Sequence, residues 1–324
     1  MAIICPYCFE SVAPSARCSQ CGETLPSQLK LSNLMFSIVG STESGKSHYI
    51  AILIEQMKRQ AARFGWSFHA ANDETINLYE RRFKRPLYES LATIDKTQTG
   101  DREARRPLIY TLCFFNGSQE QRATLVFYDA AGERFNSQDE INRATRYLYN
   151  SAGVIFLVDP LQMSEARNLF LKRFPGEEKA LPERPVDNAK VGNIFTRLIN
   201  ALQGRQLQGK IPVPIAITLS KIDALRFLLT DEAPVFLPPF HRGGLSLADF
   251  RRNSDYFGNL LSVIDGDREI VANARRFERV GYFGVSALGQ NPQKTGRLQF
   301  KPRPIRPLDP MLWLLWQNGL IDGK

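Results

Sequence analysis

Gly40-Ser41-Thr42-Glu43-Ser44-Gly45-Lys46-Ser47 sets two glycines around four residues and follows them with Lys and Ser. That spacing suits a backbone cradle for phosphate. The apolar run Leu34–Val39 precedes it and reads as a buried strand; Ile50, Leu53, Ile54 and Met57 follow at helical spacing. A loop between strand and helix aims the unpaired N–H groups and positive dipole of the helix at an anion. Gly40, Glu43, Ser44, Gly45, Lys46, Ser47 and His48 form the candidate phosphate site. Lys46 would reach the β- and γ-phosphates, the Ser47 hydroxyl would hold Mg²⁺, and the His48 N–H would meet the α-phosphate. A second device stands at Tyr128-Asp129-Ala130-Ala131-Gly132-Glu133, after a β-like run. Asp129 would hold Mg²⁺ through water, and the Gly132 N–H would bond only a γ-phosphate, so its loop would be released on hydrolysis.

Four of the five cysteines stand in two pairs, Cys5-Pro-Tyr-Cys8 and Cys18-Ser-Gln-Cys21, with nine residues between the pairs. Each pair makes a tight knuckle with its sulfurs on one side, and two knuckles give a closed tetrahedral four-thiolate site. The donor set suits zinc, with an iron centre or a redox pair as the alternatives. Tyr7 and Phe9 alone cannot build a core there, so the metal supplies the folding energy. Cys113, within Leu112-Cys113-Phe114-Phe115, reads as a small core residue.

The elements that must position these groups follow from the pattern. Residues 1–24 read as a zinc ribbon, 25–32 as a linker, and 33–324 as one α/β domain with insertions at about 64–106 and 225–250. The first helix is expected to reach about Arg63, and Asp73–Leu91 is partly helical, interrupted by Pro86. Leu108–Phe115 and Thr124–Tyr128 read as an antiparallel hairpin about Asn116-Gly117-Ser118. Gly153–Asp159 is apolar enough to be a central strand. Further strands are expected at Val213–Leu219 and Tyr282–Val285, with helices over Asn193–Leu202, Ser254–Val280 and from Met311. Residues 289–308, rich in proline and basic side chains, read as extended. The fold class is therefore α/β: a mostly parallel sheet with helices on both faces, one antiparallel strand, and a small N-terminal zinc ribbon.

Composition bounds the class. Of 324 residues, 43% are hydrophobic and 23% charged, which is usual for a globular protein. No 18-residue apolar run and no secretory leader is seen, so a cytoplasmic protein without a transmembrane segment is expected. The net charge of +9 favours acidic partners, but the clusters Arg81-Arg82, Lys84-Arg85, Arg102-Arg105-Arg106 and Arg275-Arg276 are short and scattered, as on solvated faces. His69 and His241 lack metal-ligand company and read as surface or satisfied core. Trp313, Leu314 and Trp316 read as a terminal helix packed on the sheet, and Phe236–Phe240 as a docking loop or local packing.

Thr218-Leu219-Ser220-Lys221-Ile222-Asp223 resembles the Asn/Thr-Lys-x-Asp motif of P-loop GTPases of the Ras-like and translation-factor class. The resemblance covers roughly residues 33–320 and is carried by the motifs alone. It implies that Asp223 accepts from the guanine N1–H and 2-amino group, that the Lys221 stem covers the base plane, and that Ser220 stands where the family has Asn. Ser286 and Ala287 resemble the loop whose backbone N–H meets the guanine O6; Leu288 replaces the family's Lys. A first-switch Thr that binds Mg²⁺ and the γ-phosphate is implied at Thr97, with Thr99 as its neighbour. Glu133 stands where the family orients the attacking water with Gln, and Arg102, Arg105 and Arg106 border the first switch. The ribbon and the proline-rich lead into Asp309–Leu315 are similar to bacterial double-GTPase families of conflict and defence gene clusters. The resemblance thus implies a Mg²⁺-dependent GTP-binding and GTP-hydrolysing switch acting on partner proteins, slow without one. A nucleotide-binding scaffold with negligible hydrolysis, a zinc-ribbon nucleic-acid module gated by nucleotide, and an ATPase are the rival readings.

Overall fold

The structure is a computed structural model that describes residues 2–30, 33–95, 106–116, 119–128, 138–177, 181, 188–239, 241–266 and 268–324. Strands β1 (Ile3–Ile4) and β2 (Ser11–Val12) pair antiparallel in the cysteine-bearing module. Then follow β3 (Asn33–Gly40), α1 (Lys46–Gln60), β4 (Ser67–Ala70), α2 (Asp73–Tyr79), a π-helical turn at Glu80–Lys84, α3 (Arg85–Tyr88), β5 (Leu108–Asn116) and β6 (Gln119–Phe127). The second half holds α4 (Gln138–Tyr149), β7 (Ser151–Val158), α5 (Ser164–Arg173), α6 (Asn188–Leu202), β8 (Ile215–Leu219), α7 (Leu247–Ile264), α8 (Glu269–Ala274), β9 (Val280–Gly284) and α9 (Asp309–Gln317).

Among the described residues the main sheet has seven strands in the order β4-β5-β6-β3-β7-β8-β9. β5 runs against both neighbours, and the pairings from β6 to β9 are parallel. The hairpin expected at Asn116–Ser118 is present, with Asn116 opposite Gln119. β4 was not legible in the sequence: Ser67-Phe68-His69-Ala70 is too short to declare a period, and its pairing with β5 alone makes it a strand.

The alternation along β3 assigns the two faces. Phe36 and Ile38 share a core with α1, the helical segment 73–88 and α9, where Met311–Leu315 are all buried. The other face of β7 and β8 packs on α5, α6, α7 and α8 through Phe156, Phe195, Phe257 and their neighbours. Over β5, β6 and the start of β3 that second face is covered by the cysteine module, whose Cys5, Phe9 and Leu29 are buried with Ile109 and Val126. Leu25 and Leu29 belong to this core, and Ser27–Lys30 forms a 3₁₀ turn, so the segment read as a linker is packed.

Other boundaries moved for physical reasons. α1 ends at Gln60 and a 3₁₀ turn at Ala61–Phe64 is closed by left-handed Gly65. The helix expected from Ser254 to Val280 begins at Leu247, capped by the Ser246 hydroxyl, and breaks after Ile264, where Asp265 accepts from the Val271 N–H instead. Cys113 is half-buried rather than core. It shares a face with Ile109 and Phe115, and that face runs out past the cysteine module, leaving Phe115 68% exposed. Among the described residues no helix is long and apolar enough to cross a membrane.

His241 is buried and satisfied. Its Nδ1 accepts from the Ser246 N–H, and its Nε2 lies 3.3 Å from Asp309. Asp249 stands with these two residues, but the cluster is an ion network rather than a cation site. Arg306 donates to Asp249 at 2.7 Å and to Asp309 at 2.8 Å, all three side chains being almost fully buried. Arg306→Ala would take away the guanidinium that two buried carboxylates share, leaving Asp249 to Arg252 and Asp309 to His241, so unfolding in urea should show a loss of roughly 3 kcal/mol. A change of less than about 1 kcal/mol would mean that the network is dispensable.

Candidate functional site

Register brings the candidate loops to one rim. Gly40 lies beside Leu157, Val158 beside Leu219, and Leu219 beside Gly284, so the chains leaving β3, β7, β8 and β9 emerge together at the carboxyl ends of parallel strands. This rim, at the strand where connections diverge to either side, is where open α/β sheets bind ligands.

The phosphate loop is shaped by left-handed backbone at two places. Glu43 has φ 65°, and Gly45 has φ 93° as the residue that opens α1. Glycine adopts that conformation without a Cβ clash. The Tyr49 N–H bonds the Gly45 carbonyl, which starts the helix and leaves the preceding N–H groups turned toward the loop. Lys46 folds over the same loop, its Nζ 2.7 Å from the carbonyl oxygens of Gly40 and Ser41. The Ser44 hydroxyl is buried with no hydrogen-bond partner among the described residues. A buried orphan hydroxyl inside a basic, N–H-lined cradle fits a phosphate ligand.

The second loop is tied to the first. Lys221 is left-handed at φ 53°, and its Nζ donates to the Glu43 carbonyl at 2.8 Å and to Asp159 at 2.6 Å. Its stem passes over Gly45, with Cε 3.8 Å from where a Cβ would stand. Ser220 is buried and spends its hydroxyl locally, 3.3 Å from the Val158 carbonyl. Asp223 is half-buried in the 3₁₀ turn Ile222–Leu225, which is anchored by Ile222 N–H to Val285. Ser286 and Ala287 follow β9 on the same rim. The Ser286 hydroxyl accepts from the Gly289 N–H, and its backbone pairs with Ile305 in a returning segment. That segment also bonds Thr93 and Leu91 through Gly296 and Leu298.

Three side chains at this rim had no sequence assignment, His48 having been assigned through its backbone N–H alone. Asp159, 2% exposed, accepts from Lys221 and from the Leu161 N–H. Gln162 clasps the phosphate loop, accepting from the Ser41 hydroxyl at 2.6 Å and donating to the Thr42 carbonyl at 3.0 Å. His48 accepts the Ile94 N–H on Nε2 at 3.2 Å. An acid directly after a wholly apolar strand was the available signal for Asp159; the others depend on loop packing. Thr97, Thr99, Arg102, Arg105, Asp129, Gly132 and Glu133 lie outside the described residues. Arg106 is engaged elsewhere, with Glu23 at 2.6 Å and Glu74 at 2.9 Å.

Burial, and after it the charge of Lys221, pushes the His48 imidazole down to about 4. The unfolded chain takes up that proton near pH 6.5. The stabilisation is therefore complete above about pH 6.5 and is lost as pH falls through that window, by up to about 3 kcal/mol. His48→Asn keeps an acceptor for Ile94 and should flatten the slope in denaturant unfolding between about pH 6.5 and 4. A slope equal to that of the parent would assign the acid sensitivity to other groups.

The cysteine site is compact. Cys5 and Cys21 sulfurs are 3.8 Å apart and Cys8 and Cys18 sulfurs 3.7 Å, with all four within 4.8 Å of one another. A tetrahedron with metal–sulfur bonds of about 2.3 Å has edges of about 3.75 Å, which these two separations match, so the set is compatible with zinc. The Tyr7 and Gln20 N–H groups each point at the first sulfur of their knuckle at 3.4 Å, as donors that stabilise a thiolate.

SaeC of Mycolicibacterium smegmatis, named as a candidate ESX-1 scaffolding and assembly protein, is 27% identical over 329 residues, covering 94% of this chain and 80% of its own. The Arl6 BBS3 small GTPase of Trypanosoma brucei, solved with GppNp, is similar over 79% of this chain and 88% of its own, at 13% identity and a TM-score of 0.33. The Ski7 GTPase-like domain of S. cerevisiae, solved with GTP, is similar over 89% of this chain and 50% of its own, at 15% identity and a TM-score of 0.36. Residues 34–242, well over half of the chain, match Double-GTPase 2. With the phosphate loop, the Lys221–Asp223 turn and the Ser286–Ala287 loop all on one rim, that match makes the chain a member of the Double-GTPase 2 family.

Proposed function

We propose that the chain is a Mg²⁺-dependent GTPase that switches its contacts with partner proteins according to the phosphate it holds. The observation that carries the reading is the joined rim: Lys221 bridges Asp159 and the Glu43 carbonyl, so the loop for the base and the loop for the phosphates form one unit. Lys46 and the N-terminal amides of α1 neutralise the phosphates; Ser47, Asp129 and Thr97 hold Mg²⁺; Asp223, Lys221, Ser220, Ser286 and Ala287 surround guanine. Bound Mg²⁺ would supply charge stabilisation at the β- and γ-oxygens. Gly132 would sense the γ-phosphate, and Glu133 would orient water or face a neighbouring base. Cys5, Cys8, Cys18 and Cys21 bind structural zinc, which holds residues 1–24 as a module ahead of the GTPase domain.

The test is a nucleotide and metal analysis of the purified protein, followed by single-turnover hydrolysis of GTP with Lys46→Ala as control. Co-purified guanine nucleotide, about one zinc per chain, and Lys46-dependent phosphate release support the reading. GTP that stays intact on the wild-type chain favours a second reading, a nucleotide-bound scaffold. The name of SaeC speaks for that alternative and for protein partners in a bacterial assembly. A role in bacterial conflict or defence rests on resemblance alone.

A further inference from the structure

The two cysteine knuckles are built alike except at one residue. In each, the residue after the second cysteine bonds the carbonyl of the first: Phe9 to Cys5 and Gly22 to Cys18, both at 2.9 Å. Both residues are left-handed, at φ 62° and 73°. Gly22 is exposed and a Cβ there would meet nothing within 4 Å. Phe9 is an aromatic residue in a backbone region that bulky side chains rarely occupy. Its ring is completely buried.

The ring packs on two tyrosines, 5.3 Å from Tyr128 and 4.9 Å from Tyr147, which meet each other edge-on at 5.4 Å, and the Arg143 guanidinium lies 5.5 Å from its centre. Tyr128 directly follows β6 and directly precedes Asp129 in the chain. Tyr147, on α4, donates its hydroxyl to the Phe36 carbonyl at 2.8 Å, on the strand that runs into Gly40. The knuckle backbone is held from α4 as well. Asn150 donates to the Phe9 carbonyl at 2.9 Å, and Arg146 to the Cys8 carbonyl and to Glu10, both at 3.2 Å. A small metal module usually needs only its metal to fold. Here a disfavoured backbone conformation drives one aromatic side chain into the packing beneath two strands that lead to the phosphate rim.

We propose that Phe9 is a positioning residue: the first cysteine knuckle, held by its metal, completes a three-ring cluster with Tyr128 and Tyr147, and metal loading is thereby linked to nucleotide binding at Lys46 and Ser47. This rests on the zinc and nucleotide assignments under Proposed function. Without metal the knuckle does not hold Phe9 in its left-handed conformation, the ring leaves the cluster, and the middle of β3 and the end of β6 lose their common support. Linkage is reciprocal, so bound nucleotide must in turn hold the metal.

Phe9→Gly separates the coupling from the metal site. Glycine accepts the backbone conformation, as Gly22 does, so the variant should keep its zinc. The dissociation of a fluorescent GDP analogue is then timed with Mg²⁺ in excess and in Mg²⁺-free buffer. We expect zinc to be retained and dissociation in Mg²⁺ to accelerate by roughly fivefold or more. The acceleration should be largest in Mg²⁺, because Tyr128 adjoins Asp129; a general loosening of the fold would not select for the metal. Zinc retained with dissociation unchanged overturns the proposal.

If the variant does not fold, the reciprocal arm uses the wild-type chain. Zinc loss to a zinc-selective chromophoric chelator, with Mg²⁺ in excess, should slow by roughly fivefold or more when GDP is bound. Equal rates with and without GDP overturn the linkage. A wild-type chain that binds no GDP at all, in the same state as Lys46→Ala, removes the nucleotide reading itself and the linkage with it.

Discussion

Asp223→Asn is expected to move the base preference from guanine to xanthine, with GTP losing roughly 10⁴-fold relative to XTP. The reason lies in how the turn is held. Lys221 takes a left-handed conformation and buries Ile222 beneath it, and Ile222 bonds back to Val285. Asp223 is thereby held in the turn that directly follows Lys221 at the rim. A carboxylate there offers two acceptors to the N1–H and 2-amino donors of guanine. An amide offers one acceptor and one donor, so guanine meets an opposed pair of donors while xanthine, with a carbonyl at position 2, is matched. Unmatched buried polar groups carry the full desolvation cost, which is why one atom exchange has so large an effect. Competition among GTP, XTP and ATP on both chains measures it. Equal preference for guanine in the variant would remove Asp223 from base recognition.

Lys46→Ala is expected to weaken GTP binding by roughly 100-fold or more. Charge-assisted hydrogen bonds contribute about 1.5–3 kcal/mol each, and one ammonium bridging two phosphates makes two of them. The geometry sharpens this. Lys46 Nζ lies 2.7 Å from the Gly40 and Ser41 carbonyls, so the head is already held over the loop that would receive the phosphates. Little conformational freedom remains to be lost when a phosphate arrives. Equilibrium titration with a fluorescent GTP analogue measures the loss, and an unfolding curve on the same sample shows whether the loop carbonyls stranded by the substitution weaken the fold. Affinity within about threefold of the parent would place the phosphates away from Lys46.

Spacing had singled out Lys46 and the resemblance had singled out Asp223, and their neighbours explain why neither was enough. Gly45, Lys46 and Asp223 act through local backbone geometry, and local geometry follows local sequence. Asp159, Gln162 and His48 act across long separations. Gln162 reaches Ser41 and Thr42 from the turn after β7, and Asp159 reaches Lys221 from the end of that strand. A hydrogen bond to a residue more than sixty positions away has no periodicity. Ser220 is the converse: it departs from the resembled motif, and its buried hydroxyl bonds Val158 while Lys221 and Asp159 carry the tie to the phosphate loop.

The cysteine module shows the same division. Four thiols at two-residue gaps pointed to a tetrahedral metal, and the sulfur separations are compatible with one. That the module replaces a helix on one sheet face, and that Phe9 rather than a glycine closes its first knuckle against Tyr128 and Tyr147, came from packing. The strand β4 and the break after Ile264 were likewise decided by partners distant in sequence.

By itself, then, the order of residues determined the phosphate loop, the four-thiolate cluster, the hairpin β5–β6 and the α/β class, because each is encoded by neighbours within a turn or a strand. The tertiary structure decided which loops share a rim, which side chains tie them together, and where the cysteine module sits. Those outcomes depend on strand order and on burial shared among segments far apart in the chain, which no local pattern contains.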